Sequence, residues 1–469
     1  MQLNKINELF NQNTIDQRNN KNHAKKLSCN TLPFAANPEH IAVKTTPSPI
    51  NKAYLSAYYG LKLSPISFAA STENKAPKTA LSCLPDANIK EITEKINLEK
   101  KQPLVISDFD GTFSAFTPKI LEAGPYGGVP NFSAMVNNLD KSNIPFFILT
   151  SRKLEDFSEP GMLGDAAENI NKIGLKGNQM NLILPKTPKV DEFISKWQEK
   201  NDYTTEIKEL NNGKIKIKVE PKPIEGFDKV KTQLKDELEP LGFAIEDKKI
   251  MFTLHWRDIE EKINNSKEPY RLEVNNEIFQ DVNNWKKIVD DKEEKESKVL
   301  IINKGNPDKN VELSSNELLD YSKQKFENIC KDNFTNELKQ GKVSLHLDTG
   351  TKIYELVDAR TTNLNKGTIL KDFTDLFGGN EKAFPIFMGD SISTGKDDEF
   401  ALEESVKSAG AGIAVVCRDK TELGSLKNPD ISLTKRLSLE TSANYKLDSY
   451  QETVPFLNKL AGEYSKQKS

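Results

Sequence analysis

Cysteine is scarce in this chain and shows no pattern. Cys29, Cys83, Cys330 and Cys417 are scattered without a C-x-x-C pair, which excludes a zinc ribbon and a disulfide framework and fits structural thiols in a reducing compartment. Long apolar runs are missing as well, and none approaches the roughly 18 residues that a bilayer span needs. The opening stretch MQLNKINELFNQNTIDQRNN lacks the apolar core of a secretory signal. A soluble, cytoplasmic protein with no membrane span is therefore expected, although a non-cleaved signal read by a dedicated export machine would leave no trace by these rules. Neither sign of charge dominates: 66 Lys and Arg stand against 69 Asp and Glu, a formal charge of −3. Without a basic surplus, nucleic acid and anionic membrane are not expected partners, whereas small polar or anionic ligands stay open.

What the chain does have is length and rhythm. Its 469 residues allow two or three domains, each with its own core. Residues 1–97 are rich in Asn, Lys, Ser and Pro and predict a partly disordered leader, with AYLSAYYGLKLSPISFAA as a docking segment. From Glu91 the text turns regular: a short helix, the strand PLVIS, a helix around NFSAMVNNLDKS, then the strand IPFFILTS. That alternation predicts a Rossmann-like parallel sheet over 98–184. Between 185 and 361 the pattern changes to helix-plus-hairpin units, KIKIKVE and FAIEDKKIMFTLHWRD among them, which predicts an inserted α+β domain. Within it, the charged, Asn-rich stretch 259–297 reads as a solvated insertion without chemistry. The βα rhythm resumes over 362–469 through FPIFMGD and GIAVVC. An excursion of roughly 170 to 210 residues is too long for a loop, so the middle segment is a domain set into the first fold.

The chemistry centres on PLVISDFDGTF. An extended chain puts residues i and i+2 on one face, so Asp108 and Asp110 point together beyond a strand's carboxyl end, where open α/β sheets bind ligands. Two acids so close repel unless a cation or shared proton compensates, and oxygen ligands favour a hard ion, Mg²⁺ being the natural choice. Three further pieces sit at strand ends or helix starts: Thr150 and Ser151; Lys366 in NLNKGT; and Asp390 in FMGDS, followed by Asp397, Asp398 and Glu399. A carboxylate nucleophile, a neighbouring acid/base, a lysine and Mg²⁺ make a set suited to phosphoryl transfer through an aspartyl-phosphate. Alone, paired acids before Gly are more often a turn or cap; the company of Lys366 and Asp390 reverses that preference.

Taken in order, these motifs resemble the haloacid-dehalogenase superfamily of phosphatases, whose four motifs read DxDGT, a strand-end Ser/Thr, a Lys and an acidic pair. Within it the chain looks most like the trehalose-6-phosphate phosphatases: Thr150-Ser151-Arg152 stands where they have SGR, His255-Trp256-Arg257 where they have HYR, and Asn365-Lys366-Gly367 where they have NKG. Their GDDxTDE is matched by the longer GDSISTGKDDE, in which either Asp397 or Asp398 takes the second acidic place. The resemblance implies a Rossmann-like core with a C2-type cap and a phosphoric monoester hydrolase acting on trehalose 6-phosphate. By it, Asp108 is the nucleophile and Asp110 the acid/base, with Thr150 and Lys366 binding the phosphoryl group. Asp108, the main-chain carbonyl of Asp110, Asp390 and one of Asp397 or Asp398 would hold Mg²⁺. Ser151, Arg152, His255 and Arg257 would meet the substrate.

His255 on an apolar strand is more often a packing residue than a ligand contact, while Arg257 can grip sugar or phosphate oxygens in a bidentate way. His346 reads as structural. Other sugar phosphates, namely those of sucrose, mannosylglycerate and glucosylglycerate, stay open as substrates. So does a binding or effector protein that keeps the fold with reduced catalysis. No synthase domain is visible, so a trehalose pathway would draw on a separate trehalose-6-phosphate synthase chain.

Overall fold

The computed structural model describes residues 76–468 apart from 116–120, 122–128, 165–166, 168–169, 175–179, 202, 211–212, 223–224, 248–250, 290–298, 349–352, 359–364, 393–396 and 417–428. The expected disorder and docking segment of the leader lie outside the described residues, as do Cys29 and Cys417. The leader nevertheless ends earlier than 97. Strand β1 (Thr79–Ala80) is followed by buried Leu81 and Leu84, and helix α1 (Ile89–Leu98) buries Ile92 and Ile96. Asn88 Oδ1 accepts the free N–H groups of Lys90 and Glu91 and starts that helix. An i,i+4 pair of isoleucines needs a core to cover it, and the domain supplies one.

The first lobe continues through β2 (Gln102–Ser107), α2 (Phe132–Lys141), β3 (Phe146–Thr150), β4 (Lys172–Gly174), β5 (Met180–Pro185), α3 (Pro188–Asn201), β6 (Tyr203–Glu209) and β7 (Lys214–Pro221). The expected cap boundary at 185 is too early. KIKIKVE pairs with β5 and sends Ile215, Ile217 and Val219 into the core face of the main sheet. A strand's alternation reports that one of its faces is buried; it does not say in which sheet.

The cap begins with α4 (Phe227–Leu238), which ends through a 3₁₀ turn at Gly242, whose φ is +85°. Strands β8 (Ala244–Asp247) and β9 (Met251–His255) form the expected hairpin, and α5 (Arg257–Asn265) follows. Next come β10 (Tyr270–Val274), α6 (Asn276–Val289), β11 (Val299–Asn303), β12 (Asn306–Leu313), α7 (Ser315–Asn333), α8 (Thr335–Lys339), β13 (Val343–Asp348) and β14 (Ile353–Asp358). A reciprocal Ser314–Glu317 capping box opens α7, the signal that Ser-x-x-Glu predicts. Strands β13-β14-β9-β8 make an antiparallel sheet.

The stretch read as a solvated insertion is not one. Strands β10, β11 and β12 form a second sheet joined by α6, and Leu272, Val274, Ile278, Phe279 and Val282 enter the cap core. Its described charged residues are exposed or half-buried, while Leu272 and Val274 alternate and Ile278, Phe279 and Val282 recur at helical spacing; the composition hid the periodicity.

The second lobe supplies α9 (Lys366–Leu376), β15 (Ala383–Gly389), α10 (Asp397–Lys407), β16 (Ala411–Val415), α11 (Pro429–Leu437), β17 (Glu440–Thr441, paired with β1), β18 (Tyr445–Leu447) and α12 (Thr453–Lys468). The main sheet runs β18-β16-β15-β2-β3-β4-β5-β7-β6, parallel from β18 to β4 and antiparallel beyond, with an apolar cluster on each face. The architecture is α/β with an inserted α+β cap. No described helix is long and apolar enough to cross a membrane.

Because Phe279 is 3% exposed within the cap cluster, Phe279→Ala should cost about 3–5 kcal/mol of cap stability in urea unfolding. A loss within the range of surface substitutions, about 0.5 kcal/mol, would show that α6 does not belong to the cap core.

Candidate active site

Neighbouring strands β3, β2 and β15 end side by side, and each delivers a polar side chain. The ladder continues one residue past β2, Asp108 N–H donating to the Met388 carbonyl at 2.9 Å, so the backbone under Asp108 is fixed. Asp390 follows the last residue of β15, and Thr150 closes β3. Lys366 opens α9 after Asn365, whose Oδ1 accepts from Thr368 N–H at 2.9 Å. Its ammonium is buried and donates to Asp108 Oδ1 at 2.7 Å and to Asp398 Oδ1. Asp398, in the first turn of α10, is fully buried and accepts Ser391 N–H on Oδ2 at 2.8 Å.

Two glycines make this gathering of acids possible. Gly111 has φ +77°, and a Cβ there would stand 2.5 Å from Asp390 Oδ2; at Gly389 a Cβ would meet Asp398 Cγ at 2.6 Å. Both carboxylates occupy space that any other residue would fill.

Oxygens of Asp108, Asp390 and Asp398 lie within 4.8 Å of one another. Ligand oxygens about 2.1 Å from a shared Mg²⁺ stand roughly 3–4.2 Å apart, so the three need to close by little. Three hard carboxylate donors in a cradle kept open by glycine fit that ion. Asp397 is corrected here: it is exposed at the helix start and outside the cluster, and Asp398 is the acid that turns inward. The Asp110 side chain is also outside, being held elsewhere, which leaves only its main-chain carbonyl for a metal.

Electrostatics follows from burial. Burial pushes the Asp108 carboxyl up to about 7, with Asp398 and Asp110 adding to the rise and Lys366 pulling against it. For Lys366, burial disfavours the charge, but Asp108 and Asp398 outweigh it and hold the ammonium well above the ordinary lysine range. Asp110 is half-buried, and Arg152 takes both its oxygens, Nε to Oδ2 at 2.8 Å and Nη2 to Oδ1 at 2.6 Å; against the desolvation, Arg152 and Arg257 keep the carboxyl below its usual range.

Arg152 is thus placed as the clamp on Asp110, its guanidinium 6.0 Å from the centre of the Phe109 ring. Thr150 is buried and its Oγ1 accepts Arg152 N–H at 3.2 Å; Ser151 is half-buried beside it. From the cap, His255 Nε2 bonds Glu246 Oε2 at 2.8 Å, and both are buried. Arg257 opens α5 two residues past the end of β9, and its charge reaches Asp110. Exposed His346 bonds to Ser344, two residues away on the same strand.

Two participants escaped sequence reasoning. Glu246 exerts its charge on Asp110, Arg152 and Asp156, which puts β8 of the cap over the core site; its position across the hairpin from Thr253, beside His255, was the available signal. Arg436, on α11, donates to the Asp390 carbonyl at 2.8 Å and stands 3.4 Å from its Oδ2. Nothing in PDISLTKRL announces that contact.

Comparison with known proteins is sparse. No family model and no curated protein matches the chain. Among solved structures, the chain is similar to the C-terminal domain of C. albicans trehalose-6-phosphate phosphatase, with 14% identity and a TM-score of 0.42 over 81% of this chain and 98% of that one. It is similar to Aspergillus fumigatus trehalose-6-phosphate phosphatase at 12% identity and 0.37, over 81% and 99%. A hypothetical protein from Geobacillus kaustophilus stands at 10% and 0.30, over 78% and 99%. At these values the likenesses carry no weight for activity, which rests on the geometry above.

Asp398→Asn should lower Mg²⁺ affinity at least about tenfold in calorimetric titration, whereas Asp397→Asn should stay within about threefold. Equal losses would return Asp397 to the site. Gly111→Ala should strain the backbone by about 1–3 kcal/mol and displace Asp390, so that Mg²⁺ no longer raises Tm; an undiminished Mg²⁺ shift would contradict the cradle.

Proposed function

We propose that this chain is a Mg²⁺-dependent sugar-phosphate phosphatase working through an aspartyl-phosphate, with trehalose 6-phosphate as its favoured substrate. The observation that carries the reading is the buried set Asp108, Lys366, Asp390 and Asp398 at the carboxyl ends of β2 and β15. With all three ionised, the carboxylates outnumber the two cations Lys366 and Arg436 by one negative charge in a buried space. Such a site favours a cation.

In this reading an Asp108 oxygen attacks phosphorus and the sugar oxygen leaves. Lys366, hydrogen-bonded to Asp108, steadies charge as it grows on the phosphoryl oxygens, and the Thr150 hydroxyl adds a hydrogen bond. Asp108, Asp390 and Asp398 would hold Mg²⁺, which when bound neutralises charge on the phosphoryl group. Asp110 protonates the leaving oxygen and later takes a proton from the water that attacks phosphorus, breaking the Asp108–phosphate bond and releasing phosphate. Before that, Arg152 has to loosen its bidentate grip, because a carboxyl held that low carries no proton to give. A substrate oxygen arriving between them competes for the guanidinium and lets the Asp110 pKa rise. Arg257 and the Glu246–His255 pair, on the cap side, would meet the sugar.

Phosphate release should be measured with trehalose 6-phosphate and the phosphates of sucrose, mannosylglycerate and glucosylglycerate, with and without Mg²⁺. Turnover of one of them, lost in chelator and lowered at least about a thousandfold by Asp108→Asn, is expected. Arg257→Ala should cost on the order of 10- to 1,000-fold in kcat/KM for the sugar phosphate and far less for p-nitrophenyl phosphate. Release from none of them, together with no beryllofluoride adduct at Asp108, would favour a fold kept for binding.

A further inference from the structure

Strand β6 ends the nine-stranded sheet, and among the described residues nothing pairs with its outer edge. Leu210 N–H donates to the Lys214 carbonyl at 2.9 Å, which makes those two a hydrogen-bonded pair. Counting back by twos, Lys208, Glu206 and Thr204 turn their backbone groups toward β7. Thr205, Ile207 and Glu209 turn theirs outward. The side chains of those three stand opposite Val219, Ile217 and Ile215, on the face that is buried elsewhere in the sheet. Ile207 is 52% exposed, the open end of that apolar stripe.

We infer that this edge pairs with β6 of a second copy of the chain, antiparallel, about a twofold axis at Ile207. The register follows from charge. An axis at Glu206 or at Lys208 would set a like charge against itself. At Ile207 the isoleucine meets its own copy, Glu206 faces Lys208 of the second copy, and Lys208 faces Glu206.

Thr205 falls opposite Glu209 in the same register. Its Oγ1 is buried with no hydrogen-bond partner among the described residues, and the exposed Glu209 carboxylate, which also takes Lys186, can accept its proton. The three outward residues then exchange about six N–H···O bonds with the second strand. Lysine on an edge ordinarily guards against stray pairing. Here the guard is self-complementary, so it rejects other strands and admits its own copy.

Sedimentation of the full chain across a concentration series tests the inference. A dimer fraction that grows with concentration is expected. Glu206→Lys places lysine against Lys208 twice per interface and should raise the dimer Kd on the order of tenfold or more. The double variant Glu206→Lys, Lys208→Glu reverses every pair and should return the Kd to the wild-type range. Both side chains are exposed, and an unchanged unfolding midpoint confirms that each variant folds. A chain that stays monomeric up to about 1 mM, a dimer indifferent to Glu206→Lys, or a double variant no tighter than the single one overturns the proposal.

Discussion

One buried ammonium holds the site together. Lys366 bridges Asp108, whose charge burial disfavours, and Asp398, and the two in turn keep it charged at a depth where a lone lysine would lose its proton. Such a set costs desolvation on both sides and persists only while complete; removing one member of a buried pair costs about 3–5 kcal/mol because the other is left uncompensated. The positions of Asp108, Asp398 and the start of α9 are therefore one constraint. Gly111 and Gly389 are its steric counterpart, leaving room for acids that electrostatics asks to be close.

Much of this is legible in the sequence. The ordered strand-end motifs named Asp108, Asp110, Thr150, Lys366 and Asp390 because each type has a reason to stand where a parallel sheet ends. Asp397 and Asp398 could not be separated by spacing alone, since the lengthened loop hides how α10 enters the site. Arg152 was read as a substrate contact and is found clamping Asp110. A motif records that an arginine is near; which carboxylate it holds depends on rotamers and neighbours.

The cap was less legible for a different reason. Its boundary was misplaced because β6 and β7 carry the same alternation in the core sheet as they would in a cap. The segment dismissed as solvated folds because apolar residues, Leu272, Val274, Ile278, Phe279 and Val282 among them, enter the cap core while its described charged residues stay exposed or half-buried. Average polarity and periodic polarity answer different questions, and only the second decides burial.

The insertion also imposes an order of events on a chain made from one end. β2 lies between β3 and β15, yet β15 emerges only after the entire cap; Ser107 and Met388, neighbours in the finished sheet, are 281 positions apart. During synthesis the first lobe therefore presents the open edge of β2 to solvent while the cap folds beyond it. That open edge is a template for strand addition until its own partner arrives. Contacts of such separation are slow to close, which makes this lobe the aggregation-exposed part of the nascent chain and the natural client of a chaperone that shields strand edges.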